Sequence, residues 1–436
     1  MANAISNDTQ AAPLVTPSPT SGRIPRRQLA SAAVGNLIEW FDWNAYAFLS
    51  IYFATQFFPK DASPLVALMG TFGILAVGFL VRPLSSLILG KVSDLVGRRF
   101  TLLITVYGMG IGSLMIAVAP TYEQVGVLAP VLLLLARIIH GICIGGEYGA
   151  MSAFAMEIAP QGKRGQIGGM LNAVAVLGQI FVVVLVLGAA WILPAADMVE
   201  YGWRIIFGIG AALSLAGIWI RRGMKETAAD HSSGDKPGLF TAFAKHPRQA
   251  VQVVGLTLGF TAMVYVWGSY MPAYAKTYGG LDPKYGMIAT LVSLVAALVG
   301  ALIAGPLSDK YGRRKTMLAA GVILAGGTIP AMGLISDSLA TLMILQSAAM
   351  LVLALLQASS MAAYCELFPR KVRASGIGFP YSLTVALIGG TAPMVGTQFA
   401  AWNIGGAFPW YVAGLMAVSV FFYATMKETA FKPLPE

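Results

Sequence analysis

Several ionisable residues of this 436-residue chain stand inside long apolar runs: Glu39, Asp42, Arg82, Arg137, His140 and Glu147. Charge is costly in such surroundings, so each is a candidate for function and calls for a partner. Two kinds of chemistry suit these types. A buried carboxylate can take up and release a proton as a neighbouring cation comes and goes. A buried guanidinium can grip a carboxylate through two parallel hydrogen bonds. Glu39 and Asp42 are three residues apart, hence neighbours on one helix surface. His140 and Glu147 are seven apart and share nearly one face. Plainer readings stand beside these. Glu147 can be a hydrogen-bonded packing residue in a glycine-rich helix. His140 can be a satisfied polar core residue, although its titration range suits a proton relay. Arg82 can partner Glu147 or backbone carbonyls.

The elements that carry these residues must be membrane helices. Hydrophobic residues make up 57% of the chain and charged ones 11%, so an ordinary soluble fold could not hide its apolar side chains. The apolar runs are about 20 residues long, the length of a spanning helix and too long for the strands of a barrel. Spans are expected near 33–57, 65–90, 101–119, 126–156, 166–192 and 203–221, then near 249–275, 286–307, 316–335, 339–367, 374–399 and 407–426. That is an all-α integral membrane protein of about twelve helices, with bundles over 31–221 and 249–428. Residues 1–30 read as a disordered tail, 222–248 as a polar linker and 429–436 as a short second tail. Cys143 and Cys365 fall inside apolar runs, which argues against a disulfide framework.

The net charge of +10 could suggest a nucleic-acid partner, but its distribution excludes one. Of the 29 Lys and Arg, only Lys60, Lys276 and Lys284 fall on one side, and Arg82, Arg137 and Arg204 lie in or beside apolar runs. The other 23 share the opposite side, which the positive-inside rule places in the cytoplasm together with both termini. The bilayer is therefore the one macroscopic partner expected, and the chain is expected to be a monomer. Arg204 reads as snorkelling to the headgroups.

The two halves repeat. Gly90-Lys91-Val92-Ser93-Asp94-Leu95-Val96-Gly97-Arg98-Arg99 returns as Gly305-Pro306-Leu307-Ser308-Asp309-Lys310-Tyr311-Gly312-Arg313-Arg314. Glu157, Pro160 and Arg164 return as Glu366, Pro369 and Arg373, and Met224-Lys225-Glu226-Thr227 as Met426-Lys427-Glu428-Thr429. Asp94 and Asp309 stand at a helix C-terminus, a poor place for a carboxylate unless Arg98, Arg99, Arg313 and Arg314 lie beside it. Gly97 and Gly312 permit a tight reversal. One copy would read equally well as a basic turn that merely orients the protein. Two copies at related places point to a breakable ion-pair latch, with Glu157–Arg164 and Glu366–Arg373 as its second layer.

Both decapeptides resemble the signature loop of the major facilitator superfamily, and the resemblance covers the whole chain. Gly35-Asn36-Leu37-Ile38-Glu39-Trp40-Phe41-Asp42, Arg82-Pro83, Gly145-Gly146-Glu147-Tyr148-Gly149 and Trp203-Arg204 resemble its metabolite:proton symporter family. Residues 49–54 and 129–137 and the second decapeptide are similar to that family's bacterial dicarboxylate carriers. The resemblance implies proton-driven uptake of a small organic acid, such as 2-oxoglutarate or another dicarboxylate, by alternating access across a bacterial inner membrane. It also implies that the fourth helix packs beside the first, so that Asp42 and Arg137 form a pair whose carboxylate takes a proton when the arginine turns toward substrate. Two departures, His140 for the usual Gln and Ile206 for the usual Pro, bear on the substrate.

For the substrate site the expectation is Arg82, Arg137 and Asn36, with Tyr265 and Tyr270 from an aromatic stretch around Pro272, and Gln179, Tyr381 and Thr384 as polar groups in midspan. Tyr274 reads as an interface anchor. Gly141, Gly145 and Gly149 recur every fourth residue, a close-packing pattern. An enzyme is disfavoured: three histidines show no metal spacing, no nucleophile has a base, and Gly108-Met109-Gly110-Ile111-Gly112 lacks the preceding strand of a dinucleotide site. No metal or cofactor is called for. Two arginines favour an anion, with zwitterionic osmolytes, aromatic acids and drug efflux as alternatives in that order.

Overall fold

The computed structural model describes residues 26–222 and 241–435, so residues 223–240 of the expected linker, with the first Met-Lys-Glu-Thr copy, and nearly all of the expected N-terminal tail lie outside the described residues; the end of the expected linker is instead helical, at Thr241–Lys245 and from Pro247 onward. In chain order the long helices are α1 (Arg26–Phe53), α2 (Pro64–Leu95), α3 (Arg98–Ala117), α4 (Leu128–Glu157), α5 (Arg164–Ile192) and α6 (Trp203–Arg221). They are followed by α7 (Pro247–Gly279), α8 (Pro283–Tyr311), α9 (Arg313–Gly333), α10 (Leu339–Cys365), α11 (Arg370–Ala400) and α12 (Phe408–Thr425). Eleven are long and apolar enough to cross a membrane. The first, α1, is as long but carries Asn36, Glu39, Asp42 and Asn44.

Helices run further than their hydropathy suggests, because charge does not end a helix whose carbonyls are otherwise satisfied. α1 begins at Arg26, inside the expected tail, and α2 continues through Lys91 and Asp94. The decapeptide is therefore helix rather than loop, apart from one reversal. Gly97 and Gly312 make that reversal at φ 134° and 94°, where a side chain is strained. α7 is widened by a π-turn at Val266–Tyr270, just before Pro272, whose ring would collide with the carbonyl four residues back in a regular helix. α11 carries a similar turn at Val385–Gly389.

Packing reproduces the repeat. In one half α1 packs on α5 and α6, α2 on α4, and α3 on α4 and α6. In the other, α7 packs on α11 and α12, α8 on α10, and α9 on α10 and α12. Adding six to each helix number converts one set into the other. The six-helix bundles meet along α2 against α11 and α5 against α8. Outward-facing Leu80, Leu84, Ile88, Leu302 and Ile303 are exposed, as expected of surfaces that face lipid. Gly90 lies against the backbone of Ser375, and Gly305 against Gly165, so a side chain there would force these helices apart.

Candidate functional site

At one end of the bundle pair the two decapeptides meet the opposite half. Asp94 accepts hydrogen bonds from the backbone N–H of Ala374 (3.1 Å) and Ser375 (3.0 Å) in the first turn of the second half's helix, and from Arg98 at 2.6 Å. Asp309 accepts from the N–H of Gly165 and Gln166, each at 2.8 Å, and from Arg313 at 2.9 Å. Each aspartate thus ends its own helix unfavourably and caps a helix of the other bundle favourably, satisfying amides that would otherwise be orphaned. Arg99 and Arg314 hold carbonyls near the ends of α6 and α12, Arg222 at 2.8 Å and Ala424 at 2.7 Å.

The second layer departs from expectation. Glu157 bonds Arg373 at 2.8 Å and Arg98 at 3.3 Å, while Glu366 bonds Arg164 at 3.1 Å and Arg313 at 3.4 Å. Glu157–Arg164 and Glu366–Arg373, expected within each half, are thus crossed between halves. Crossing makes the layer a lock: separating the bundles at this end must break both pairs and both caps together.

Toward the midplane from the latch lies a small cavity of about 80 Å³, walled by Asn36, Glu39, Trp40, Trp43, Arg82, Tyr148, Asn172, Thr261, Tyr265, Gln357, Ser360 and Tyr381. Beyond it, further from the latch, a cavity of about 390 Å³ shares Trp40, Trp43, Tyr265 and Gln357 and adds Asn44, Gln179 and Tyr270. Between small cavity and latch, Tyr148 of α4 and Tyr381 of α11 stack with centroids 3.7 Å apart, one ring from each half. The Arg82 guanidinium lies 4.1 Å from the Trp43 ring and 4.5 Å from that of Phe79, with the Tyr265 hydroxyl beside it. Its Nε has no hydrogen-bond partner, nor do Asn172 Nδ2 and Thr261 Oγ1 on the same wall. Buried polar atoms left open cost about 1–3 kcal/mol each, so these are groups kept for what enters the cavity.

Other expected residues lie elsewhere. Arg137 is absent from both walls: fully buried, it stacks 4.1 Å from the ring of Tyr46, and none of its side-chain nitrogens makes a hydrogen bond. Asp42, also buried, makes no hydrogen bond and no ion pair with Arg137, although Arg137 and Ser113 lie near enough to act on its charge. The expected pair is thus two neighbours out of bonding contact with the latch shut. His140 Nε2 meets the carbonyl of Met109 at 3.0 Å and so must carry the proton, which fastens α4 to α3 away from the cavity. Thr384 donates to Pro380 within its own helix at 2.8 Å and lines neither cavity. Arg204, instead of snorkelling, caps α3 through the carbonyls of Ala117 (3.1 Å) and Ala119 (2.6 Å).

Glu147 is taken by protein. Arg221 bonds it at 2.5 Å and the Thr105 hydroxyl at 2.8 Å, all out of contact with solvent. Arg221, one of the 23 cations that the charge bias assigns to a single side, is thus buried in an ion pair, and Arg82 is not the partner of Glu147. Single replacement by Glu147→Ala or Arg221→Met should cost about 3–5 kcal/mol, since each strands a buried charge, whereas Glu147→Leu with Arg221→Met together should cost far less. Thermal unfolding in detergent measures the difference, and comparable losses in all three would show the pair is not the unit.

Comparison with known proteins agrees with this architecture. Residues 29–229 match the family described as Sugar (and other) transporter, and residues 280–435 the Major Facilitator Superfamily. The chain belongs to the major facilitator superfamily, and it is a secondary transporter rather than an enzyme. It is 35% identical over 402 residues to the alpha-ketoglutarate permease of Escherichia coli (strain K12), covering 91% of this chain and 92% of that one. It is 31% identical over 435 residues to the proline/betaine transporter of the same strain, covering 94% and 85%. Among solved structures, the proton:xylose symporter XylE bound to 6-bromo-6-deoxy-D-glucose shares the fold with a TM-score of 0.76 at 18% identity, covering 94% of this chain and 97% of that one.

Proposed function

We propose that this chain takes up a small carboxylate, such as 2-oxoglutarate or another dicarboxylate, together with a proton. One observation carries the reading: a single guanidinium, Arg82, held against two aromatic rings with an open Nε, faces a cavity whose other open polar atoms can donate to oxygen. Arg82 is the cation that favours an anion, because Arg137 lies off the wall. Likeness to the alpha-ketoglutarate permease supports the same class. Asp42 is the proton site, since a buried carboxylate without a hydrogen bond is stable only when neutral. Arg137 is the cation that reaches it in the other state.

The basic latch face is the cytoplasmic one, with both termini there, in a bacterial inner membrane. With the latch shut the larger cavity serves the outside. Loading lets the bundles rock, parts Tyr148 from Tyr381 and breaks the crossed pairs.

A zwitterion is the second reading, favoured by Glu39 near Arg82 and by the faces of Trp40, Trp43 and Tyr265, which suit a quaternary ammonium; likeness to the proline/betaine transporter points the same way. Uptake of labelled 2-oxoglutarate into proteoliposomes under an inward proton gradient decides. We expect accumulation that collapses with protonophore, and accumulation of betaine alone would move the assignment to zwitterions.

A further inference from the structure

Residues 426–435 turn back across the latch face rather than leaving it. Glu428 accepts hydrogen bonds from the backbone N–H of Arg313 (2.8 Å) and Arg314 (3.1 Å), the first turn of α9, and from the N–H of Thr429 and Ala430, each at 3.0 Å. Thr429 donates to Glu366 at 2.5 Å. The carbonyl of Lys432 accepts from Arg164 at 2.9 Å, and that of Pro435 from Arg373 at 2.6 Å. Met426 and Ala430 are buried, and Leu434 packs on the main apolar core. Three of the four second-layer residues, Arg164, Glu366 and Arg373, therefore also hold this segment. A side chain at Gly312 would run into the Glu428 carboxylate, so the reversal and its cap are built around each other.

We propose that residues 426–435 form a strap that positions the latch and holds it shut, with Glu428 as its anchor. The proposal rests on the reading of the chain as an alternating-access carrier. Glu428 fixes the strap to α9, where a carboxylate meets unpaired amides at the positive helix end. From that anchor, Thr429 orients Glu366 toward Arg164, and the Lys432 carbonyl gives Arg164, which belongs to the first bundle, a second partner in the other bundle. Opening must take Arg164 from both. Because Arg164 belongs to the other bundle, its bond to the Lys432 carbonyl exists only while the bundles are closed at this end, so the strap weights the shut state.

The test is accessibility in proteoliposomes of the full chain. A cysteine is placed at Ala175, on the wall of the small cavity, and labelled with a membrane-impermeant maleimide from either face. In Glu428→Ala we expect labelling from the latch face to rise about tenfold, the equivalent of about 1.4 kcal/mol off the shut state, and labelling from the far face to fall, with counterflow exchange of 2-oxoglutarate within about twofold. Mere structural damage would lower exchange and both labelling rates together. Thr429→Val leaves the α9 cap in place and should shift labelling the same way. It stands in if Glu428→Ala does not fold. Labelling in both variants that matches the parent, with exchange retained, overturns the strap. If the parent's own labelling ignores substrate, the carrier reading fails instead.

Discussion

The Asp42→Asn protein is expected to exchange substrate across the membrane but not to accumulate it. The side chains are nearly isosteric, so folding should be preserved, and removing a buried carboxylate that makes no hydrogen bond should not lower stability. What disappears is the only form that can release a proton when Arg137 approaches. Each coupled proton lets one unit of pH gradient support about tenfold accumulation, because a tenfold ratio equals about 1.4 kcal/mol. Without coupling the inside-to-outside ratio should settle near unity, while counterflow continues at a rate close to that of the parent. Proteoliposomes with an imposed pH step measure both. Glu39 is the competing proton site, since it lines the cavity one helical turn away. Accumulation retained in Asp42→Asn but lost in Glu39→Gln would transfer the role to Glu39.

Arg82→Ala should weaken carboxylate binding by about two to three orders of magnitude, the usual consequence of truncating one partner of a buried, hydrogen-bonded charge pair. Arg82→Lys should recover little. A lysine keeps the charge but loses the planar fork and its contact with the rings of Trp43 and Phe79. Trp43→Ala, which leaves the guanidinium intact but unsupported, should fall between parent and Arg82→Ala. Binding can be read by calorimetry on purified protein, separately from transport. If the substrate is instead a zwitterion, Arg82→Ala still loses its carboxylate, but Glu39→Gln then weakens binding as strongly. A carboxylate substrate would make Glu39→Gln neutral or favourable, because one repulsive charge leaves the wall. Equal binding in Arg82→Ala and parent would show that the guanidinium does not hold the substrate.

Helix number, repeat and the two latch aspartates were legible because their signals are local. A span is one stretch of apolar residues, and a duplicated Gly-Ser-Asp-Gly-Arg-Arg pattern is visible whatever it touches. Cavity residues were legible only as a pool. Asn36, Arg82, Gln179, Tyr265, Tyr270 and Tyr381 line the cavities, while Thr384 and Arg137, chosen by the same rule of polarity in midspan, do not. Asn172, Thr261, Gln357, Trp40, Trp43 and Tyr148 met that rule or bore the same aromatic signal and were passed over. The rule cannot separate them, since the face a helix turns inward is decided by the helices that pack around it.

Pairing is where tertiary structure had the final word. Spacing within one half made Glu157–Arg164 and Glu366–Arg373 natural partners, and the fold crosses them because the bundles meet along a twofold axis. Asp94 looked badly placed at the end of its own helix until α11, 280 residues onward, presented its free amides. Arg221 looked like a surface cation until it closed on Glu147. Sequence by itself determined that this is a duplicated helical membrane protein with charged loops at one end, because hydropathy, charge bias and repetition are properties of neighbours along the chain. Which charge meets which was decided only by the folded chain, because an ion pair is a matter of a few ångströms in space, and residues hundreds of positions apart are brought to that distance only when the two bundles close.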